Sequence, residues 1–404
     1  MTDVLDLLLQ PEVQADPYPA YERLRMDNPV CWSERGSVYV LSRHADVRWA
    51  FNSSDLRSPE PEELSALVPK AKLHQALGML LRTLPMTNPP VHTRLRRLVQ
   101  RDFTARRVQG LWASVEQTGS HLLDRMTSRL GDGEVVDLHE DFSKPLALNV
   151  IADLLGVPES DQTQLGALVV RMLVVTNPAA SESELAEADA ASSQVEAYFS
   201  GLVAKRRAHP RDDLVSALVS THADEPDRLT EAELMTMIWA LWVSGFETSA
   251  AGIDVASIAM MRHPEHAQLL AAGRAELQAF VAEALRHNSP NLLTGVFRIA
   301  AKDVEVGGIR VPAGADIRML PGSANRDPTI FPNADRFDPG RNQAPVVTFG
   351  HGMRHCLGAH LAQMEISVAL RLLHARCPDL ALADGAVRRR SLTLRTYDRL
   401  PVAK

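Results

Sequence analysis

The stretch TFGHGMRHCLGAHL at residues 348–361 gathers residue types that could do chemistry: one cysteine among glycines, histidines and an arginine. Gly350, Gly352 and Gly358 allow the backbone to turn sharply and to approach a flat partner closely. After Cys356 the apolar residues recur with helical period, so the sulfur is expected at a helix N-terminus. The exposed N–H groups and the dipole there favour a thiolate, which is a nucleophile or a metal ligand.

Four interpretations of this cysteine are open. The plainest is a small buried hydrophobic residue. A zinc site could use His351, His355, Cys356 and His360, but glycines interrupt the helix that would align the histidines, and no HExxH motif is present. A cysteine hydrolase needs a partnered histidine and an orienting acid, for which the sequence offers no decisive spacing. A haem thiolate needs one cysteine on an open glycine-rich loop, a flat pocket, and cations for two propionates.

The loop FGHGMRHCLG resembles the haem-ligand loop of cytochrome P450 enzymes, Phe-Gly-x-Gly-x-(His/Arg)-x-Cys-x-Gly, and meets every fixed position. The likeness is to the soluble bacterial branch, and matching segments run from about residue 17 to the C-terminus. It implies a cytochrome P450 fold around a buried haem b, with Cys356 as the axial ligand of the iron. The loop residues that would bind the cofactor are Phe349, Gly350, Gly352 and Gly358.

A second motif, WVSGFETSAAG, places an acid beside an alcohol at Glu247 and Thr248, after the small residue Gly245. In isolation this could be a packing glycine beside a threonine bonded to the preceding turn. The run resembles the family's oxygen-activation motif (Ala/Gly)-Gly-x-(Asp/Glu)-Thr, with Ser244 as a departure at the first place. Splitting dioxygen in a dry pocket needs delivered protons. The resemblance implies that Thr248 holds oxygen or a water and that Glu247 relays protons from solvent.

Cations for the propionates come from three segments. HTRLRRLV places His92 and Arg96 on one helical face, which alone would be read as a solvated basic face. It resembles the family's propionate-binding His-x-x-x-Arg helix. Arg298 and Arg354 match the other propionate-binding positions, and guanidinium groups suit carboxylates.

The run EALR puts Glu283 and Arg286 on one helical face, which is ordinarily an exposed pair of small energetic value. It resembles the family's Glu-x-x-Arg motif, which together with a meander arginine, here Arg336 of ADRF, locks the core behind the cysteine loop. If the network is buried, breaking it costs several kcal/mol, so Arg286→Ala is expected to abolish haem loading.

The resemblance also predicts which segments line the substrate pocket: residues 55–90, 165–195, the central helix, 292–296 and 394–397. These are mostly apolar, which favours a hydrophobic small molecule such as a terpenoid, fatty acid or polyketide. The expected reaction is hydroxylation or epoxidation in bacterial secondary or catabolic metabolism. The individual lining residues are Leu292, Leu293, Val296 and Thr396.

Electrons would come from NAD(P)H through a separate ferredoxin or flavodoxin-type donor and its reductase, because no reductase domain is fused to this chain. Opposite charge speeds such encounters. A peroxide-driven enzyme of the same family, or a haem-based sensor without turnover, are the alternatives. The basic residues expected on the docking surface are Arg94, Arg97, Arg101, Arg106 and Arg107.

The elements that must position these residues are mainly helical. Helical periodicity covers residues 90–290 and 357–376, while strand-like runs near 30–42, 295–320 and the C-terminus predict small sheets. The longest predicted helix opens at Thr230, with Glu233 completing a capping box, and runs to Arg262. An irregular meander follows from 324 to 345. No linker divides these regions, so one domain over 1–404 is expected.

Composition limits the partners and the compartment. A formal net charge of −7 argues against nucleic acid as the main partner. The three cysteines, Cys31, Cys356 and Cys377, build no disulfide framework, which indicates a reducing cytoplasm. The N-terminus lacks a basic flank, and charged residues interrupt every long apolar run, so neither a signal peptide nor membrane attachment is expected.

Overall fold

The computed structural model describes residues 2–60, 63, 74–176, 180–224, 228–341 and 345–404. Two compact units make up the chain: the first comprises Met1–Arg57, Val108–Leu146 and Thr248–Lys404, and the second comprises Ser58–Arg107 and Ala147–Glu247. In the described residues all strands belong to the first unit, and both units are rich in helix. The prediction of a mainly helical protein with a minor β part is confirmed. The prediction of one domain over 1–404 stays a prediction.

Helices fill most of the two regions predicted to be helical, residues 90–290 and 357–376. In the first half of the chain they are α1 (Val4–Leu8), α2 (Pro11–Ala15), α3 (Tyr18–Asp27), α4 (His44–Asn52), α5 (Gln75–Leu80), α6 (Val91–Val99), α7 (Ala105–Gly110), α8 (Trp112–Gly131), α9 (Lys144–Leu155), α10 (Glu159–Met172) and α11 (Glu182–Ala208). The second half contains α12 (Leu214–Asp224), α13 (Glu231–Gly245), α14 (Glu247–Arg262), α15 (Leu269–Ala272), α16 (Arg274–His287), α17 (Pro321–Ala324) and α18 (Ala359–Arg376).

The strands are β1 (Val30–Ser33), β2 (Val38–Leu41), β3 (Leu56–Arg57), β4 (Val136–Asp137), β5 (Ile299–Ala300), β6 (Val304–Val306), β7 (Ile309–Val311), β8 (Asp316–Met319), β9 (Ala381–Leu382), β10 (Val387–Arg388), β11 (Tyr397–Arg399) and β12 (Pro401–Ala403). Among the described residues they form four small sheets. The largest has the order β1-β2-β8-β5-β3, in which β1 and β2 form the predicted N-terminal hairpin and β2 runs parallel to β8. Strands β6 and β7 form a second hairpin, β10 pairs with β11, and β12 lies between β4 and β9.

The long helix predicted from Thr230 to Arg262 is interrupted. Its start is as expected, because the Thr230 hydroxyl accepts from the Glu233 amide and the Glu233 carboxylate closes the capping box. Helical geometry then fails at Phe246, with φ −123° and ψ −41°, which separates α13 from α14. Just before the break, the Ser244 hydroxyl donates to the Ala240 carbonyl at 2.6 Å. Such bonds to the preceding turn compete with the backbone ladder and bend helices.

Each unit has its own apolar core. In the first unit, α1 and α3 pack with β1, β2 and the segment around Leu293, and a second cluster lies under the five-stranded sheet. In the second unit the aromatic rings of Phe199, Trp242 and Phe246 contact one another in series, and Trp239 is buried nearby. No helix in the described ranges is both long enough and apolar enough to cross a membrane.

Candidate functional site

The cysteine loop is a tight turn held by its own backbone. The Cys356 amide donates to the Phe349 carbonyl at 2.9 Å, and the His355 amide donates to the Gly352 carbonyl at 3.1 Å. Gly350 and Gly352 have φ of +69° and +68°, a region that side chains other than glycine's rarely adopt. The sharp turn predicted from the glycines is present at these two positions.

Cys356 lies just before α18, whose N-cap residue is Gly358. The predicted position at a helix N-terminus is therefore confirmed. Its thiol is exposed, whereas the other two cysteines are buried. Burial raises the pKa of Cys31 to about 11 and also raises the pKa of Cys377. Those two cysteines are packing residues, and Cys356 is the one available for chemistry.

The zinc interpretation of this loop is wrong. In the described part of the chain, no three His, Cys, Asp or Glu side chains come together in a way that could hold a metal ion. The residues His351 to Cys356 lie in a turn, and His360 lies on the exposed face of the first turn of α18.

Two of the predicted propionate ligands, Arg298 and Arg354, influence one another in the first unit. Arg298 is 4% exposed. Burial, followed by the positive charges of Arg354 and Arg318, lowers the pKa of Arg298 to about 9. Burial also lowers the pKa of Arg354. Mutually repelling, partly dehydrated guanidinium groups would be stabilised by carboxylates placed beside them.

The other predicted propionate ligands lie on α6 in the second unit. His92 is 1% exposed and Arg96 is half-buried, one helical turn further on. Arg94, on another face of the same helix, binds Glu233 of α13 through two contacts of 2.6 and 3.1 Å. The charge of Arg94 is therefore matched within the unit, and its place on a docking surface stays a prediction. Arg97, Arg101, Arg106 and Arg107 are exposed as expected.

The oxygen-activation motif spans the break between α13 and α14. Glu247 is 1% exposed, while the neighbouring Thr248 is exposed, so the two side chains point in different directions. A carboxyl so buried does not meet bulk solvent directly. The predicted role of Glu247 in relaying protons from solvent stays a prediction. Gly245 packs against α9: a Cβ at this position would lie 2.8 Å from Ile151 Cδ1 and closer still to its Cγ1.

The Glu283–Arg286 pair is buried, as the resemblance implies. Arg286 Nε donates to Glu283 Oε2 at 2.7 Å and its Nη2 donates to Oε1 at 2.8 Å, and the two side chains are 1% and 4% exposed. Arg286 Nη1 donates to the carbonyls of Asn325 and Ala334 at 2.8 and 2.9 Å.

The meander arginine of this network is not the predicted one. Arg336 is exposed and contributes its backbone carbonyl, which accepts from Arg286 at 3.3 Å. The guanidinium that approaches Glu283 belongs to Arg341, at 3.6 Å, and it also donates to the carbonyls of Asn333 and Arg336. Both arginines stand in the short run DRFDPGR, so the motif alone did not separate them.

A connection that the sequence did not reveal joins this network to the cysteine loop. The Asn325 side chain accepts from the Val347 amide at 2.8 Å and donates to the Thr348 hydroxyl at 2.8 Å. Thr348 in turn donates to the Leu285 carbonyl on α16. Asn325 and Thr348 are therefore positioning residues at the base of the loop. Neither stands in a recognised motif, and only their contacts identify them.

The predicted substrate-lining residues separate into two kinds. Leu293 belongs to the core cluster with α1 and α3, and its role as a pocket residue stays a prediction. Leu292 and Thr396 are buried and Val296 is half-buried, which leaves their role open to experiment. Parts of the predicted lining regions, residues 61–62, 64–73 and 177–179, lie outside the described residues.

The second unit contains a pocket of about 600 Å³ that draws on two of the predicted regions. Its wall is formed by Pro59, Glu60, residues of the segment 78–95 and the first half of α13. Leucine and methionine side chains supply much of this lining, and Glu60, Arg82 and Glu233 are its charged members.

The donors around the cysteine loop fit a haem. An exposed thiol at a helix N-terminus suits an iron ligand, and a Cβ at Gly358 would meet no described atom within 4 Å, which leaves that side of the loop open to a flat partner. Arg298 and Arg354 supply the cations that two propionates require.

Comparisons with known proteins agree with this geometry. A family model described as Cytochrome P450 matches residues 60–272 and 275–376. Cytochrome P450 BJ-3 of Bradyrhizobium diazoefficiens is 42% identical over 99% of this chain and 96% of that protein. The vitamin D(3) 25-hydroxylase of Pseudonocardia autotrophica is 36% identical over 96% and 93% of the respective chains. A crystal structure of P450BioI in complex with hexadec-9Z-enoic acid ligated acyl carrier protein aligns with a TM-score of 0.87, 30% identity, and coverage of 97% of this chain and 99% of that one.

Proposed function

Because this chain belongs to the cytochrome P450 family, whose members are haem-dependent monooxygenases, we propose that it inserts one oxygen atom into a hydrophobic small molecule by hydroxylation or epoxidation. The electrons come from NAD(P)H through a separate ferredoxin or flavodoxin-type donor and its reductase. The single observation that carries the proposal is the cysteine loop, where left-handed glycines present an exposed thiol at the N-terminus of α18.

In this proposal Cys356 would bind the haem iron, and Arg298, Arg354, His92 and Arg96 would hold the propionates. Bound haem would supply the electron-transfer and oxygen chemistry that the protein side chains lack. The Phe349 carbonyl fixes the loop by accepting a hydrogen bond from the Cys356 amide. The helix N-terminus favours the thiolate over the thiol.

In this proposal Glu247 passes protons and Thr248 holds the group that receives them. The exposed Thr248 hydroxyl can both donate and accept a hydrogen bond, so it can hold a water or the distal oxygen of a bound molecule. The Glu247 carboxyl passes a proton from inside the protein rather than directly from bulk water, since it is 1% exposed. The departure from helical geometry at Phe246 lies immediately before both residues.

The proposed substrate class is based on the apolar lining of the pocket and on the ligands named for similar proteins. Leu81, Leu84, Met86, Leu95 and Met237 line the pocket of the second unit. The proteins that the chain resembles include a vitamin D(3) 25-hydroxylase and a P450 solved with a hexadecenoyl acyl carrier protein. Both names denote large, mainly hydrocarbon molecules, which supports a lipid-like or polyketide-like substrate here.

The electron donor is proposed to be acidic. Arg97, Arg101, Arg106 and Arg107 are exposed on or after α6, in a chain whose net charge is −7. Concentrated positive charge steers a negatively charged partner to this surface. Three cysteines that form no disulfide support a reducing compartment such as the cytoplasm.

The first test is the optical spectrum of the reduced carbonyl adduct. Protein expressed with ample porphyrin supply should be coloured and show thiolate-type absorption, and Cys356→Ser should lose that absorption. Colourless wild-type protein, or an imidazole-type spectrum, would refute the proposal. Cys377→Ser is the matched control and should keep the thiolate signature.

The second test separates a monooxygenase from its rivals. Proton transfer by a positioned group is worth roughly 10²–10⁴-fold in rate. Without the Thr248 hydroxyl, the Thr248→Ala variant should still consume reductant, but the amount of product formed per electron pair should fall several-fold. Thr248→Ser keeps the hydroxyl and should stay coupled. Unchanged product yield in the alanine variant would favour a peroxide-driven enzyme. Absence of any product while oxygen and reductant are spared would favour a haem-based sensor.

A further inference from the structure

The first unit contains a cavity of about 930 Å³ that the monooxygenase function does not use. It lies between α2, the C-terminal end of α14, β9 and the hairpin β10–β11. Its volume falls in the range typical of sites for small organic molecules. One side is apolar, with Leu9, Ile258 and Leu400 all buried.

Basic residues also line the cavity. Arg262, Arg388 and Arg390 line it, and the only carboxylate among its lining residues is that of Asp384. Arg395 lies close enough for its charge to act on Arg388. A described lining with three guanidinium groups and one carboxylate favours an anion.

Arg388 is the group that most needs such a partner. Its guanidinium lies over the Tyr397 ring at 4.6 Å, which fixes its orientation. Its Nη1 is buried and has no hydrogen-bond partner among the described residues. Burial, followed by the positive charge of Arg395, lowers the pKa of Arg388 to about 10. A buried donor without an acceptor is costly, and an anionic oxygen at this point would remove that cost.

The neighbouring Arg389 shows the contrast. Its Nε donates to Asp398 at 2.7 Å, so a carboxylate of the same hairpin already matches its charge. Arg388 and Arg389 are adjacent in sequence and carry the same charge. The environment of their guanidinium groups is what distinguishes them.

We propose that this cavity binds an amphiphilic carboxylate, with its head group at Arg388 and Arg262 and its hydrocarbon part against Leu9, Ile258 and Leu400. The site lies wholly within the first unit and does not depend on the proposed function. A free fatty acid and an acidic metabolite with an apolar body share this chemistry. Inorganic anions would lack the apolar half of the interaction.

The test is isothermal titration of the haem-loaded full chain with decanoate, in the presence of saturating imidazole to occupy the haem iron. Wild-type protein and Arg389→Gln should each bind one decanoate. Arg388→Gln should weaken binding about tenfold or more, as expected when charge-assisted bonds are lost. Should Arg388→Gln fail to fold, Arg262→Gln, at an exposed helix end, should weaken binding in the same direction.

Two matched ligands test the two halves of the site. Decan-1-ol has the hydrocarbon chain of decanoate without the charge, and inorganic phosphate has a negative charge without the chain. Both ligands should bind at least about tenfold more weakly than decanoate. The proposal is overturned if wild-type protein binds no decanoate, if Arg388→Gln and Arg262→Gln bind it as tightly as wild type, or if either matched ligand binds equally well.

Discussion

At the scale of single residues, Gly245 shows that a motif position can carry a packing constraint as well as a chemical one. The resemblance assigns this glycine to oxygen activation, where small size leaves room beside the iron. In the structure its Cα faces Ile151 of α9 so closely that a methyl group would overlap the isoleucine side chain. Helix α13 could not approach α9 as it does with any larger residue at this point.

Gly245→Ala should therefore destabilise the protein through Ile151. Overpacking costs about 1–3 kcal/mol, partly offset by the roughly 1 kcal/mol that alanine gains over glycine in a helix. In an Ile151→Ala background the same change should be neutral or stabilising, and a double-mutant cycle on unfolding free energies measures the difference.

The control is Gly201→Ala in the middle of α11, where a Cβ would meet no described atom within 4 Å. That change should stabilise by up to about 1 kcal/mol. If Gly245→Ala had the same effect in both backgrounds, the contact with Ile151 would not be what requires a glycine.

At the scale of elements, the Glu283–Arg286 pair connects α16 to the meander and, through Asn325, to the cysteine loop. Removing one partner of a buried ion pair costs about 3–5 kcal/mol, because the other charge stays buried. Arg286→Ala should accordingly lose haem-loaded protein. The structure further predicts that Arg341→Ala is damaging, since its guanidinium approaches Glu283, while Arg336→Ala is close to wild type.

Haem content per mole of purified protein and the unfolding free energy would check this order. Arg336→Ala is the matched control, since it removes an arginine from the same loop whose side chain is exposed. Equal loss of haem in the Arg336 and Arg341 variants would contradict the assignment of Arg341 to the network.

A second link between elements depends on pH. His74, just before α5, has Nδ1 at 2.8 Å from Asp189 Oδ2 and Nε2 at 3.0 Å from Glu182 Oε2, both on α11. Both ring nitrogens can donate to carboxylates only in the imidazolium form. Burial opposes the charge, but the hydrogen bonds that His74 donates to Asp189 and Glu182 outweigh it and raise the pKa of His74 above 6.5.

A raised folded-state pKa means that this link is complete below pH 6.5 and is lost as pH rises through the folded-state value. Amide hydrogen exchange of residues 75–80, corrected for intrinsic rates, should therefore show protection that declines across that interval. In His74→Asn the corrected protection should be lower at acidic pH and independent of pH. An identical pH profile in wild type and variant would assign the effect to other groups.

At the scale of the whole molecule, the sequence predicted elements and local turns well because these follow from short-range patterns. The capping box at Thr230, the hairpin β1–β2 and the helix after Cys356 all depend on neighbouring residues. The helix break at Phe246 was missed, since the apolar periodicity continues through it.

What the sequence could not supply were contacts between distant segments. Arg336 and Arg341 stand in the same short run, and only the folded meander shows which guanidinium reaches Glu283. Arg94 and Arg97 likewise share one helix, yet the fold matches the first with Glu233 and leaves the second exposed. Which of two neighbouring arginines is paired depends on contacts with residues that are distant in the sequence.

The exposed arginines on and after α6 form a positive surface on a chain whose net charge is negative, so an acidic electron donor should be attracted to that surface. Electrostatic steering raises association rates by roughly 10–10³-fold and falls steeply with ionic strength. Replacing Arg97, Arg106 and Arg107 together by glutamine should slow reduction by an acidic ferredoxin about tenfold at low salt and flatten the dependence of the rate on salt. Stopped-flow reduction under carbon monoxide measures both effects.

The control is Arg310→Gln. The guanidinium of Arg310 is exposed and binds Asp303, so this variant should leave both the rate and its salt dependence unchanged. A triple variant with an unaltered salt dependence would place the donor on another surface.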